Sequence, residues 1–252
     1  MIDEIVDSIQ KNQNQFRLAY QPIVEADSGR IVGAEALLRW EDREGGTHYP
    51  DEFISDLEHF GCYVRLGDWI IHKAITDIMQ CKQPGFFVNV NVTWGQLAET
   101  HFADQVKREL QSLPFPAEQL HLEITERGRC DNEVVARNLT SLADYGVKIV
   151  MDDFCTQESS LALIKKYPVS QIKIDKEFIL DVCENSTSQA IVETLTGLAH
   201  SLGIKICLEG VESEKIRLFI KKYGADYHQG FLYAGPISFS TLMGLLQTSN
   251  LV

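Results

Sequence analysis

The middle of the chain decides the fold. It contains three short strand-like segments, LHLEIT at 120–125, VKIVMD at 147–152 and QIKID at 171–175. Amphipathic segments at Asn132–Tyr145 and Ser159–Lys166 separate them and are typical of helices. A helix between two strands carries the chain back to the start of the next strand, so this pattern predicts a parallel sheet.

The same alternation extends toward both ends of the chain. Further strands are predicted at Phe86–Val92, Ile204–Glu209 and Asp226–Gly230, and an opening pair at Leu18–Val24 and Ile31–Trp40. The turn Asp27-Ser28-Gly29-Arg30 leaves no room for a crossover helix, so the opening pair is predicted to be antiparallel. Further helical segments are predicted at Pro50–His59, Leu66–Cys81, Phe102–Leu113, Phe178–Leu202 (in two parts), Glu212–Tyr223 and Phe239–Gln247.

Eight strand candidates in 252 residues favour a closed α/β barrel. A doubly wound open sheet is the alternative, although no Gly-x-Gly-x-x-Gly follows a strand. No linker or low-complexity tract interrupts the sequence, so we expect a single domain over residues 1–252.

Charge and composition exclude several classes of function. The 23 basic and 36 acidic residues give a net charge of −13, which argues against a DNA or RNA polymer or an anionic membrane as partner. No apolar run reaches the roughly 18 residues of a membrane span, and Met1–Glu4 does not begin a signal peptide. Six scattered cysteines without a Cys-x-x-Cys pattern favour reduced thiols. We therefore expect a cytoplasmic protein, or the cytoplasmic domain of a larger one, that makes no membrane contact itself.

Polar residues recur on one phase of the predicted strands. The apolar phase is expected to face the helices, and the other phase carries charged and amide groups toward the barrel axis: Glu35, Asn91, Glu123, Lys173 and Glu209. Most of them sit late in their strands, at the rim where barrel active sites form. Several buried carboxylates cannot all ionise without a counter-charge, so the set indicates a functional site. The alternative is a satisfied polar network or solvated strand ends.

An acidic pair closes the predicted strand VKIVMD at 147–152. Asp152 and Asp153 follow the apolar run Val147–Met151 and reach one site only where the chain turns out of the strand. Such a pair suits a carboxylate bridging two hard cations, Mg²⁺ or Mn²⁺, because no histidines have zinc-ligand spacing. A solvated acidic turn is the alternative.

These residues resemble the signature motifs of the EAL domains, the cyclic di-GMP phosphodiesterases. The matching segments run in order over about residues 16–247: Gln21-Pro22-Ile23, Glu35-Ala36-Leu37-Leu38-Arg39-Trp40, Asn91-Val92-Thr93, Glu123-Ile124-Thr125-Glu126, Asp152-Asp153-Phe154, Lys173-Ile174-Asp175, Glu209-Gly210-Val211-Glu212, Gln229-Gly230-Phe231 and Pro236.

The resemblance implies a modified TIM-type (β/α)8 barrel with an antiparallel first strand, and hydrolysis of one phosphodiester bond of cyclic di-GMP to give linear pGpG. Two divalent cations would be held by Glu35, Asn91, Glu123, Asp152, Asp153 and Glu209. Lys173 would act with Glu35 and Glu209 in catalysis by orienting or helping to activate the attacking water. The dinucleotide would contact Gln21, Leu37, Arg39, Gln229 and Pro236. Glu126 would stabilise a neighbouring loop, and a homodimer is suggested.

One loop departs from the family pattern. After Asp152-Asp153-Phe154 the family usually continues Gly-Thr-Gly-Tyr-Ser-Ser-Leu, whereas this chain has Cys155-Thr156-Gln157-Glu158-Ser159-Ser160-Leu161. Glycine tolerates a positive φ that other residues adopt at a cost. Two alternatives to an active phosphodiesterase therefore stay open: a catalytically silent cyclic di-GMP receptor, and a protein-interaction module.

Overall fold

Nine strands form one sheet in the computed structural model, which describes residues 2–11, 15–54, 57, 63–125, 132–155 and 160–249. The strands are β1 (Phe16–Glu25), β2 (Ile31–Glu41), β3 (Thr47–His48), β4 (Phe87–Asn91), β5 (Leu120–Thr125), β6 (Lys148–Phe154), β7 (Gln171–Ile174), β8 (Lys205–Leu208) and β9 (Tyr227–His228).

Eight of these strands close into a barrel. Strands β2, β4, β5, β6, β7, β8 and β9 follow one another in parallel, and β1 closes the ring by pairing antiparallel with both β2 and β9. The two-residue β3 pairs only with the end of β2 and extends that hairpin beyond the rim. The predicted barrel with an antiparallel first strand is confirmed, and the open-sheet alternative is wrong because the two edges of the sheet meet.

Nine helices surround the barrel in the described part of the chain: α1 (Ile2–Lys11), α2 (Tyr63–Ile78), α3 (Trp94–Ala98), α4 (Phe102–Ser112), α5 (Glu133–Tyr145), α6 (Ser160–Lys166), α7 (Ser186–Ser201), α8 (Glu214–Ile220) and α9 (Phe239–Ser249). Asparagine side chains cap α5 and α7, because Asn132 and Asn185 accept hydrogen bonds from the exposed backbone N–H groups of the first turn. None of the helices described is both long and apolar enough to cross a membrane.

Four helical segments differ from the sequence prediction. Helix α1 and the single turn α3, which the capping box of Thr93 and Gln96 stabilises, were not predicted. The predicted helix at Pro50–His59 opens as a 3-10 turn over Pro50–Glu52, and most of its remainder lies outside the described residues. The predicted pair of helices over Phe178–Leu202 is one helix, α7, preceded by the 3-10 turn Lys176–Phe178.

The barrel buries its two faces against different partners. Leu120, Leu122 and Ile124 of β5 are fully buried in the main core between barrel and helices, as predicted for the apolar phase. Inside the barrel, Ile23, Phe87 and Cys207 form a separate small apolar cluster. This apolar cluster lies below the polar side chains of the barrel interior.

A glycine packs directly against the aromatic ring of this apolar cluster. A Cβ atom on Gly33 would lie 2.6 Å from the Phe87 ring, so only glycine lets this ring occupy the barrel axis. The imidazole of His121 stacks on the Phe87 ring with the ring centroids 4.2 Å apart. Burial lowers the pKa of His121 to about 3, so this histidine is a neutral packing residue at neutral pH.

Candidate active site

Four carboxylates surround the ammonium group of Lys173 inside the barrel. The Lys173 Nζ atom lies 2.6 Å from an oxygen of Glu209, 3.0 Å from Glu123, 3.1 Å from Glu35 and 3.3 Å from Asp152. We call these five residues the lysine centre. Lys173 is almost completely buried, so its charge is compensated by these carboxylates rather than by water.

Strand register brings these groups together. Gln21 lies opposite Glu35 across the β1–β2 pair, and Asn91 lies beside Glu123 across β4 and β5. Lys173 comes from β7, and Glu209 follows directly after β8. The polar phase predicted from strand alternation therefore does converge at one end of the barrel.

Glycines follow two of the site residues at places where the chain needs close packing. Gly210, after Glu209, has φ +71°, and a Cβ atom there would lie 2.4 Å from the Cβ of Lys176. A Cβ atom on Gly230, after Gln229, would lie 2.3 Å from the carbonyl oxygen of Val211. Both glycines let the strand ends meet neighbouring backbone closely enough to direct Glu209 and Gln229 inward.

Amide side chains fix the orientation of two of the carboxylates. Asn91 donates a hydrogen bond to Glu35 Oε1 at 2.9 Å, and Gln229 donates to Glu35 Oε2 at 2.7 Å. Gln229 also lies 3.2 Å from the Gln21 side-chain oxygen. Asn89 donates to Glu123 Oε1 at 2.5 Å. The sequence analysis missed Asn89 as a site residue, although its place on the same strand phase as Asn91 is the signal that could have found it.

A bulge in β6 brings both aspartates to the site. Val150 and Met151 pair with Gln171 and Ile172 of β7, but the next pair joins Phe154 to Ile174, so β6 contains an extra residue. Asp153 adopts φ +51° within this bulge. As a result, oxygens of Asp152, Asp153 and Glu209 lie within 4.8 Å of one another. The sequence predicted a turn out of the strand at this point, whereas the structure has a bulge within β6, which continues to Phe154.

Burial and the charges of the neighbouring groups shift the pKa values of Glu35 and Lys173 in opposite directions. Burial alone would raise the pKa of Glu35, but Lys173, Gln229 and Asn91 lower it below its usual range. Burial alone would lower the pKa of Lys173, and the four carboxylates raise it well above its usual range instead. Glu35 and Lys173 are consequently an ionised pair at neutral pH.

The other three carboxylates are harder to ionise. Burial, reinforced by the charge of Glu35, raises the pKa of Glu123 well above its usual range. Burial also raises the pKa of Asp152, and it raises that of Glu209 to about 8, because Lys173 offsets only part of the desolvation. One ammonium group cannot neutralise four carboxylates, so the centre has room for further positive charge.

The donor set fits divalent cations. The ligand atoms that converge here are carboxylate and amide oxygens, which Mg²⁺ and Mn²⁺ prefer. Glu123 is fully buried, and within the described part of the chain its Oε2 atom has no hydrogen-bond partner. A buried carboxylate oxygen without a donor is costly, and a bound cation would satisfy it.

A cavity of about 470 Å³ opens above the centre. Gln21, Leu37, Gln229 and Pro236 line it, as does the ring of Phe231, which is 65% exposed. Its lining also includes seven acidic side chains (Glu35, Asp51, Asp152, Asp153, Asp175, Glu209 and Glu212) and two basic ones (Lys173 and Lys176). Without added cations, such a cavity repels an anionic ligand.

The structure places Arg39 apart from this cavity and does not describe Glu126. Arg39 is not part of its lining in the described structure, and its guanidinium lies over the Tyr49 ring at 4.7 Å from the centroid. Glu126 and the altered positions Thr156–Ser159 lie outside the described residues, so the loop-stabilising role of Glu126 stays a prediction.

Comparison with known proteins identifies the family. The model of the EAL domain matches residues 3–236. The chain belongs to the EAL-domain family. Among curated relatives, this EAL domain is 33% identical over 227 residues to the cyclic di-GMP phosphodiesterase PdeR of Escherichia coli (strain K12), covering 89% of this chain and 34% of that protein. It is 34% identical over 235 residues to the bifunctional diguanylate cyclase/cyclic di-GMP phosphodiesterase MucR of Pseudomonas aeruginosa, covering 92% of this chain and 34% of that protein.

Solved structures support the same assignment. The EAL domain superimposes on the PaMucR phosphodiesterase in its c-di-GMP complex with a TM-score of 0.85 and 32% identity, covering 94% of this chain and 99% of that one. The chain spans about a third of the length of the curated relatives it matches, and the rest of those proteins has no counterpart in it.

Proposed function

We propose that this EAL domain hydrolyses one phosphodiester bond of cyclic di-GMP and releases linear pGpG. The observation that carries the proposal is the lysine centre below an open cavity, with carboxylates from β2, β5, β6 and the end of β8 held around one ammonium group. Relatives named as cyclic di-GMP phosphodiesterases support the choice of substrate.

Two divalent cations, Mg²⁺ or Mn²⁺, complete the site in this proposal. Their ligands would come from the acidic and amide side chains already described: Glu35, Asn91, Glu123, Asp152, Asp153 and Glu209. Bound cations neutralise phosphate charge and lower the pKa of a nearby water, which makes that water a nucleophile at neutral pH. They would also explain how a cavity lined mainly by acids accepts an anionic dinucleotide.

Lys173 is proposed to orient the attacking water. Its Nζ atom already lies within hydrogen-bonding reach of Glu35, Glu123 and Glu209, and this array fixes where a donor points. Without a cation, burial raises the pKa of Glu209 to about 8, and a bound cation would lower it and keep Glu209 ionised as a ligand. Gln229 holds Glu35 in the orientation that a ligand role requires.

The dinucleotide is proposed to lie along the cavity wall. Gln21, Leu37, Gln229 and Pro236 line this wall. Arg39 lies on the same phase of β2 as Glu35 and Leu37, and its guanidinium can pair with a phosphate in forked geometry. The exposed ring of Phe231 offers a flat face on which a base can stack.

The test is turnover of cyclic di-GMP with Mg²⁺ or Mn²⁺, with pGpG separated from substrate, beside the Glu35→Ala variant. Metal-dependent pGpG that falls at least about 100-fold in the variant is expected, because Glu35 has both a ligand role and a contact with Lys173. Folded wild-type protein that forms no product would contradict the proposal. A calorimetric titration with cyclic di-GMP on the same sample would then separate the silent receptor, which binds, from the interaction module, which does not.

A second copy of the chain and a cytoplasmic setting are part of the proposal as well. The family resemblance suggests a homodimer, and the molar mass measured by light scattering tests it: about twice 28.5 kDa is expected.

A further inference from the structure

We propose that Tyr49 is a positioning residue for substrate binding, which holds the guanidinium of Arg39 ready for a phosphate of the dinucleotide. The proposal rests on the proposed function, in which Arg39 contacts the substrate. Its own observation is the contact between the two side chains, with Arg39 Cζ 4.7 Å from the centroid of the Tyr49 ring.

The position of Arg39 on β2 explains why its guanidinium must be held in one direction. It follows Glu35 by four residues on β2, so its Cα lies about 13 Å further along the strand at about 3.3 Å per residue. From there only a long side chain held in one direction reaches back toward the cavity. One of its nitrogens, Nη1, is engaged by donating to the Leu38 carbonyl at 2.7 Å. A mobile guanidinium would lose rotamer entropy on binding, and the Tyr49 ring reduces that loss by holding one of its faces.

Hydrogen bonds with the following turn fix the backbone of Tyr49. The Tyr49 N–H donates to Glu52 Oε1 at 3.0 Å, and the Tyr49 carbonyl accepts from the Glu52 N–H at 3.0 Å. Pro50 follows Tyr49 at the first position of the 3-10 turn and fixes the backbone there. Asp51 of the same turn lines the cavity, so this turn joins the support of Arg39 to the cavity rim.

A histidine ties this turn to the β2–β3 hairpin. His48 Nδ1 lies 3.0 Å from Glu52 Oε2, and His48 Nε2 lies 2.8 Å from Asp42 Oδ2. The other oxygen of Asp42 accepts from the N–H groups of Glu44 and Gly46 in the hairpin turn. The backbone of Tyr49 is therefore held by the residues before and after it, while Tyr49 itself is 52% exposed.

Because Tyr49 is half-exposed, its ring can be removed without disturbing the core. Removing a half-exposed ring opens no core cavity, so the fold should tolerate Tyr49→Ala. Cation–π pairs at exposed sites contribute modestly, which corresponds to about a two- to fivefold change in an equilibrium constant. We expect Tyr49→Ala to raise the KM for cyclic di-GMP by about that factor, with kcat changed less than about twofold.

Three further variants separate positioning from a general effect. Tyr49→Phe keeps the aromatic face and should restore the wild-type KM. Tyr145→Ala is the matched control, because Tyr145 is a comparably exposed tyrosine whose ring lies 5.6 Å from Lys107 Nζ, away from the cavity lining. It should leave KM unchanged. In an Arg39→Ala background, Tyr49→Ala should add nothing, because the residue it acts through is gone.

The experiment is this double-mutant cycle, read on KM and on the dissociation constant from calorimetric titration. An unchanged KM in Tyr49→Ala, or an effect that persists in full without Arg39, would overturn the inference while leaving the proposed function in place. A wild-type protein that neither binds nor cleaves cyclic di-GMP would overturn both. A protein that binds without cleaving rejects only the hydrolase, and the dissociation constants then decide the inference.

Discussion

At the scale of single residues, Lys173 holds the metal-free site together. Its ammonium group lies within 3.3 Å of oxygens of Glu35, Glu123, Asp152 and Glu209, and the side chain is almost completely buried. Breaking a buried ion pair by removing one partner leaves an uncompensated charge and costs several kcal/mol. Cations and Lys173 therefore supply charge to the same carboxylates.

Lys173→Met tests this account of the site without reference to catalysis. In EDTA we expect the variant to lose about 2–4 kcal/mol of unfolding free energy, less than a full unpaired charge because some carboxylates then take up a proton. Mn²⁺ should raise the melting temperature of the variant by more than it raises that of the wild type.

The control is Lys205→Met, which removes an exposed lysine whose Nζ atom lies 2.5 Å from Asp226. An exposed pair contributes less than about 1 kcal/mol, so little change is expected. Equal melting of Lys173→Met and wild type in EDTA would show that the ammonium group does not hold the carboxylates together.

At the scale of elements, the end of β6 is where this chain differs from its family. The bulge that directs Asp152 and Asp153 to one site is followed by Cys155 at φ +68°, in the position where the family pattern has glycine. A side chain in this left-handed region costs about 1 kcal/mol relative to glycine. Cys155 therefore adopts a backbone conformation that favours glycine, at an energetic cost.

Substitutions at Cys155 measure that cost. Cys155→Gly should match the wild type or exceed it by up to about 1 kcal/mol in urea unfolding, because relief of strain competes with the greater freedom of glycine in the unfolded chain. Cys155→Val should lose about 1–2 kcal/mol, since a β-branched residue is disfavoured at this φ. Equal stability of the two variants would mean that the backbone conformation at Cys155 adds no strain.

At the scale of the whole molecule, strand alternation predicted the barrel and the face of each strand that carries the site. Leu120, Leu122 and Ile124 pack outward, and Glu123 points inward, because a period of two permits only these two faces. The short gap at Asp27–Arg30 likewise predicted the antiparallel first strand. These are local properties that residue order alone fixes.

Contacts that depend on strand register or on short segments could not be predicted from strand alternation. That four carboxylates share Lys173, and that Asn89 orients Glu123, follows from how neighbouring strands are staggered. The extra residue in β6 changes that stagger, and no residue type in the sequence indicates the bulge. The place of Arg39 on the Tyr49 ring depends on β3, which at two residues is too short to show any periodicity.

The most direct test of the central claim is hydrolysis of cyclic di-GMP in H₂¹⁸O with Mg²⁺ or Mn²⁺, followed by mass spectrometry of the product. Attack by one water forms a new P–O bond as the P–O3′ bond breaks, so we predict pGpG with one ¹⁸O atom in its terminal phosphate and no label in the remaining substrate. Unlabelled pGpG, or no pGpG from folded protein loaded with either cation, would contradict the assignment of this site as a phosphodiesterase centre.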